Sequence, residues 1–186
     1  MSGETWTVAF LVFISLFGFH CGGQNMPKAR PKKNAESSRS VSNLSPSDSV
    51  VWERVEELFP KVLSIQKSQK PFPHQIIYGP DKTVLGYEVE SDSAGTTKEG
   101  FSGPVPVRVF LDTAAIPVGI DILENEETPS YLELVRKSDL LFRLLKYQPG
   151  QPDTVDAVTL ATSSSSAIIK GVTGIIERVS KEILRH

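Results

Sequence analysis

The stretch from Thr162 to Ile183 constrains this chain more than any other. After Thr162 and four serines, Ser163 to Ser166, the apolar residues Ile168, Ile169, Val172, Ile175, Ile176, Val179 and Ile183 recur at steps of three and four. That spacing draws one apolar stripe along an α-helix, so the rest of the chain must supply an apolar surface to receive it. The Thr/Ser run lies where such a helix begins, and its hydroxyls are expected to cap the unpaired N–H groups of the first turn. Those N–H groups and the positive end of the helix dipole also attract an anion such as phosphate. A serine-rich cap with no ligand is the plainer alternative, because most capped helices bind nothing.

The surface for that helix is sought upstream. Ser47 or Ser49 can cap a first helix with Val51, Val55, Leu58 and Phe59 on one side, ended by Pro60. Strands are expected at Val62 to Gln66, Gln75 to Tyr78 and Val84 to Glu90, the last two joined by a turn at Gly79-Pro80-Asp81-Lys82. Ser91 to Gly100 is polar and reads as a loop. Val105, Val107, Val109 and Leu111 alternate with Pro106, Arg108 and Phe110, the pattern of a strand with one buried face, and Pro106 marks an edge or a strand start. Val118 to Glu124 returns through a Thr113–Pro117 turn. Ser130 to Leu145 reads as one helix, with Leu132, Val135, Leu140, Leu141 and Leu144 as its apolar positions. The fold class is α+β, an antiparallel sheet of hairpins flanked by helices.

At 186 residues the chain suits one domain with an N-terminal extension. The apolar segment Val8 to Phe19 is short for a bilayer span but has the length of an export signal's core, and it ends at Cys21, the only cysteine. Residues 1–21 are therefore read as an export signal of lipoprotein type, with Cys21 the lipidation site. Glu4, the absence of Lys or Arg before residue 8, and the bulky Phe19 and His20 depart from that pattern. Another exported or tethered form, or a cytosolic protein, stays open. Residues 22–47, rich in Gly, Pro, Lys, Asn and Ser, cannot bury enough apolar surface to offset ordering and read as a flexible linker. The folded domain is then 48–186. A net charge of −2 offers no basic field for nucleic acid. Histidines at 20, 74 and 186 have no metal-ligand spacing, and no histidine lies near the serine run to activate a nucleophile. Glu126 and Glu127 are adjacent and should point apart, a poor arrangement for an acid–base pair.

The residues Asp156-x-x-Thr159-x-Ala161-Thr162-x-Ser164 resemble the flavinylation motif of the FMN-binding domain family, which reads Asp-x-x-Ser/Thr-Gly-Ala-Thr/Ser. That family includes the covalent-FMN subunits of the sodium-translocating NADH:quinone reductase and of the Rnf electron-transport complex. Gly86-Tyr87 through Glu99-Gly100-Phe101-Ser102-Gly103-Pro104 is similar to the family's strand and glycine-rich loop. Ile122 to Pro129 resembles its Glu-Thr-Pro loop, which lies close to the flavin. The three blocks stand in the family's order, and the resemblance covers roughly residues 50 to 186.

The resemblance implies a phosphoester between FMN and the Thr162 hydroxyl. A flavin transferase would make it from FAD, recognising Asp156, Thr159 and Ala161. It implies a phosphate held by Thr162, Ser163 and Ser164, with Leu160 in the same loop. Glu127, Thr128, Pro129, Ser102 and Gly103 would frame the ring. Tyr87 and Phe101 could stack on a flavin, though aromatic residues at strand ends are more often core. The implied function is an extracytoplasmic or periplasmic, membrane-anchored electron carrier serving redox proteins of a membrane chain. Two other readings stand beside it: a flavin-free scaffold or partner-binding lipoprotein, and one part of an oxidoreductase whose partner subunit binds substrate. Three positions depart from the family: Leu160 and Ser130 stand where it has Gly, and Asn125 where it commonly has His. A glycine at position 160 signals a turn that other residues enter with difficulty, so the motif loop is expected to be shaped differently here.

Overall fold

The computed structural model describes residues 46–151 and 155–185, the first five by backbone alone. The signal at 1–21, Cys21 included, and the linker as far as residue 45 lie outside the described residues. The first helix, α1 (Pro46–Leu58), starts two residues inside the expected linker, and Ser47 and Ser49 fall within it rather than ahead of it. Proline suits a first helical turn, where its missing N–H has no partner to lose.

Five strands build the main sheet: β1 (Ser64–Ser68), β2 (His74–Tyr78), β3 (Val84–Glu90), β6 (Val107–Asp112) and β7 (Pro117–Ile122). They are ordered β1-β2-β3-β6-β7, with every neighbouring pair antiparallel. The first strand lies two residues later than its expected span. Between β3 and β6 the polar loop forms a small hairpin of β4 (Lys98–Glu99) and β5 (Pro104–Val105). Pro106 sits between β5 and β6; since β6 is an interior strand, the proline marks a strand start and not an edge.

The period-2 alternation of the strands separates two apolar layers. On one face, Val51 and Val55 of α1 and Phe59 just after it pack with Val62, Ile77 and Phe110. The helix comes close because Gly86 has no side chain: a Cβ there would stand 2.7 Å from the Phe59 ring and 2.2 Å from the Leu111 carbonyl oxygen. The other face receives α4 (Thr162–Arg178), which runs on into a π-helical turn over Val179–Ile183. Ile168, Ile169, Val172, Ile175, Ile176 and Val179 are buried there against Val89, Val107, Val109 and Leu111.

The expected single helix from Ser130 to Leu145 is two, α2 (Pro129–Lys137) and α3 (Leu140–Leu144). Ser138 breaks it with an extended ψ of 174°. Its hydroxyl donates to the Val135 carbonyl at 2.7 Å and accepts from the Leu140 N–H at 3.2 Å, taking over backbone pairings that a continuous helix would make.

Candidate functional site

The three sequence blocks converge on one side chain, Glu127, which is 5% exposed. Its Oε1 accepts the N–H groups of Phe101 at 2.7 Å and Ser102 at 2.6 Å, from the glycine-rich loop. Its Oε2 accepts the hydroxyl of Ser164, from the first turn of α4. Burial alone would raise the pKa of this carboxyl. The Ser164 hydroxyl and the N–H groups of Ser102, Phe101 and Gly103 outweigh it and hold the group below the ordinary 4.5. Glu127 is therefore an anion at neutral pH. Its neighbour Glu126 is exposed, on the outer side of the same glycine loop near Gly103.

The glycine loop is shaped to this contact. The Gly100 N–H donates to the Gly103 carbonyl at 2.7 Å, closing a tight turn. A Cβ on Gly100 would stand 2.6 Å from Glu127 Oε1, so only glycine lets the carboxylate reach the next two N–H groups. Asn125 orients the loop from the other side: its Oδ1 accepts the Glu127 N–H at 2.9 Å and its Nδ2 donates to the Leu123 carbonyl at 2.7 Å. Thr128 and Pro129 open α2 and are exposed, with Thr128 making no side-chain cap bond.

The hydroxyls before and within α4 behave differently from the capping expectation. The helix begins at Thr162, its N-cap is Ala161, and no side chain caps it. Ser164 and Ser165 are buried and turned to other uses. Ser165 Oγ accepts the Val158 N–H at 2.9 Å and donates to the Ala161 carbonyl at 2.7 Å, pinning the motif loop to the helix. Helical phase explains this, because Ser164 and Ser165 lie one turn before Ile168 and Ile169 on the buried stripe. Thr162 and Ser163 are exposed. Thr162 Oγ1 has only a long 3.5 Å contact, to the Val158 carbonyl. Among the described residues, no acceptor takes the N–H groups of Thr162, Ser163 or Ser164, so the helix mouth stays open to an anion.

The turn leading to that mouth corrects a second expectation. Leu160 has φ 68°, the left-handed conformation that glycine enters freely. The glycine-type turn is thus kept by a leucine, at a cost of about 1–2 kcal/mol. Leu160 is also 77% exposed. The Asp156 carboxylate is exposed, and its backbone carbonyl accepts from Arg143 at 3.1 Å, tying the motif loop to α3. Thr159, beside Leu160, is exposed as well.

Of the aromatic candidates, Tyr87 packs at the edge of the α4 core near His74. Phe101 does not: it is 68% exposed, with Tyr131 edge-on at 5.7 Å. Tyr131, Gly100 and Ser165 were not singled out from sequence as parts of this site. Helical phase was the available signal for Ser165.

Residues 100–177 match the family model of the FMN-binding domain. The chain carries an FMN-binding domain. The match begins at Gly100 and ends inside α4, so it holds the glycine loop, the Glu-Thr-Pro loop and the hydroxyl-bearing motif together. It is narrower than the span from 50 to 186 expected from sequence, leaving α1 and β1 to β4 outside. A comparison with curated proteins finds no match.

The site geometry of this FMN-binding domain suits a phosphorylated cofactor. At a helix N-terminus the N–H groups of residues 162–164 have no acceptor among the described residues, the exposed hydroxyls of Thr162 and Ser163 stand there, and the turn before them has the glycine-type shape. No group of three or more His, Cys, Asp or Glu is gathered for a metal ion among the described residues.

Proposed function

We propose that the chain is an exported, membrane-tethered electron carrier with FMN joined by a phosphoester to Thr162. The observation that carries this reading is the division among the hydroxyls. Ser164 and Ser165 are buried and hydrogen-bonded inside the protein, whereas Thr162 is exposed at the open mouth of α4 at the motif's acceptor position. A transferase approaching from solvent meets Thr162, with Ser163 beside it, and neither of the inner serines.

Attachment is a group transfer without redox change. The Thr162 oxygen forms a bond to the FMN phosphorus of FAD, the pyrophosphate bond to AMP breaks, AMP departs, and the hydroxyl proton passes to the transferase. Asp156, Thr159 and Ala161 are the recognition sequence, and magnesium belongs to the transferase. Once attached, FMN supplies the one- and two-electron chemistry. The chain's own groups hold the phosphate at the N–H groups of residues 162–164. Glu127 fixes the position of the acceptor helix against the glycine loop.

Export and tethering rest on residues 1–21 and on Cys21 as the lipidated residue, with residues 22–47 as the tether. A covalent bond suits that location, because a dissociated cofactor would be diluted away outside the cytoplasm. The electron donor and acceptor are then redox proteins of a membrane chain. No described helix is long and apolar enough to cross a membrane.

The flavin-free scaffold reading is disfavoured by Leu160. A chain released from holding flavin has no reason to keep a glycine-type turn at the cost of a strained leucine. The test is intact mass after coexpression of the full chain with a flavin transferase. An FMN-sized increment is expected in the wild type and none in Thr162→Ala; an increment that persists in Thr162→Ala overturns the acceptor assignment.

A further inference from the structure

Beside the motif loop lies a hollow of about 430 Å³, lined by Ser130, Tyr131, Glu133, Leu134 and Lys137 of α2 and by Leu160. We propose that this hollow seats the ring end of the FMN carried on Thr162, and that Leu160 is the wall this chain has added to shield it. The inference rests on attachment at Thr162.

Three observations lead to it. First, Leu160 is unfavourable twice over in the protein alone, held at a left-handed φ and 77% exposed. A large apolar side chain in that state lacks a partner, and a flat aromatic ring laid against it would supply one. Second, the hollow is built for a surface apolar on its face and polar at its edge. Tyr131, Leu134 and Leu160 supply its apolar lining, and the exposed Glu133–Lys137 pair, 2.7 Å apart, supplies charge beside them. Tyr131 is braced from the glycine loop by Phe101, edge-on at 5.7 Å. Third, Leu160 lies two residues before the acceptor, so the hollow adjoins the helix mouth. A group tethered there has a high local concentration at the hollow, and a free ligand does not.

The occupant is thus the flavin ring rather than a side chain of a redox partner. The ring is tethered next to the cavity, whereas a partner would have to find it from solution. Glycine at position 160 would leave the same turn but open one side of the hollow. The difference between this chain and the family pattern is then a difference in shielding, with the attachment unchanged.

The test uses the full chain, loaded with FMN by coexpression with a flavin transferase, and reads quenching of flavin fluorescence by iodide. Leu160→Gly and Leu134→Ala are expected to raise the quenching constant severalfold over wild type, while Leu63→Ser, an exposed leucine ahead of β1, leaves it unchanged. Thermal stability gives a second readout: loading should raise the melting temperature less in Leu160→Gly than in wild type. Loaded variants quenched like wild type overturn the hollow as the seat while leaving attachment intact. No FMN on wild-type protein removes the attachment reading and this inference with it.

Discussion

Two buried carboxylates, Glu127 and Glu88, lie on opposite sides of this domain, and the protein treats them in opposite ways. Glu127, beside the α4 side of the sheet, gathers a hydroxyl and backbone N–H groups and is held below the ordinary carboxyl range. Glu88 in β3, on the face shared with α1, is 3% exposed, with Arg108 Nε 2.9 Å from its Oε1 and the charge of Lys67 acting on it more weakly. Neither of those two atoms makes a well-formed hydrogen bond, and Arg108 also pairs with Glu90 at 2.5 Å. Burial pushes Glu88 up to about 7; Arg108 lowers it and Glu90 raises it, leaving burial in command. Proximity of cations does not replace the oriented donors that Glu127 receives. A buried anion is stable where the backbone is arranged around it in advance, which is the condition a phosphate site also needs.

The largest effect expected from this contrast is at Glu127. Glu127→Ala leaves the Ser164 hydroxyl and the N–H groups of Phe101 and Ser102 without their acceptor, costing on the order of 3 kcal/mol or more. Glu127→Gln keeps one acceptor oxygen but turns an NH2 toward the remaining donors, so it should fall between wild type and alanine. Urea unfolding at pH 7 measures both. A Glu127→Ala midpoint equal to wild type would mean that the carboxylate does not hold the three segments together.

Next in size is the pH dependence, in which the two groups have opposite signs. Glu88 binds its proton more tightly folded than unfolded. Its contribution is fully present below pH 4.5 and is lost as pH rises toward and through about 7. Glu127 binds its proton less tightly folded, so its contribution is present above pH 4.5 and is lost as pH falls through its lowered pKa. Glu88→Gln should therefore remove the decline between pH 4.5 and 7, a matter of a few kcal/mol at most, and leave the acid limb untouched. An unchanged decline in Glu88→Gln would assign it to some other group.

The contrast also marks what could be read from the residues. The stripe from Ile168 to Val179 fixed α4, its burial and the sheet it needed, because one face of a long helix admits little else. The three motif blocks were legible as neighbours. That Glu127 is their junction was not, because adjacency with Glu126 says the two diverge without saying which turns inward. Glu88 was hidden by the rule that serves strands well. In Val84 to Glu90 the polar alternate positions should face water, yet here Glu88 lies buried on the face that α1 shares. The break at Ser138 escaped for a similar reason, since the leucine spacing continues across it and only the serine's local hydrogen bonds end the helix.

The smallest effect lies at Leu160, where two terms nearly cancel. Replacing the leucine by glycine relieves a left-handed backbone worth about 1–2 kcal/mol. Glycine also widens the unfolded ensemble, which returns roughly 0.4–1 kcal/mol of that gain. The side chain is 77% exposed, so little burial is lost. Flavin-free Leu160→Gly should accordingly be more stable than wild type by about 0.5–1 kcal/mol, seen as a higher urea midpoint at unchanged slope. A lower midpoint would show that the leucine already packs within the chain. It would then have no need of a ligand to compensate its conformation, and the glycine-type turn would be a property of the loop alone.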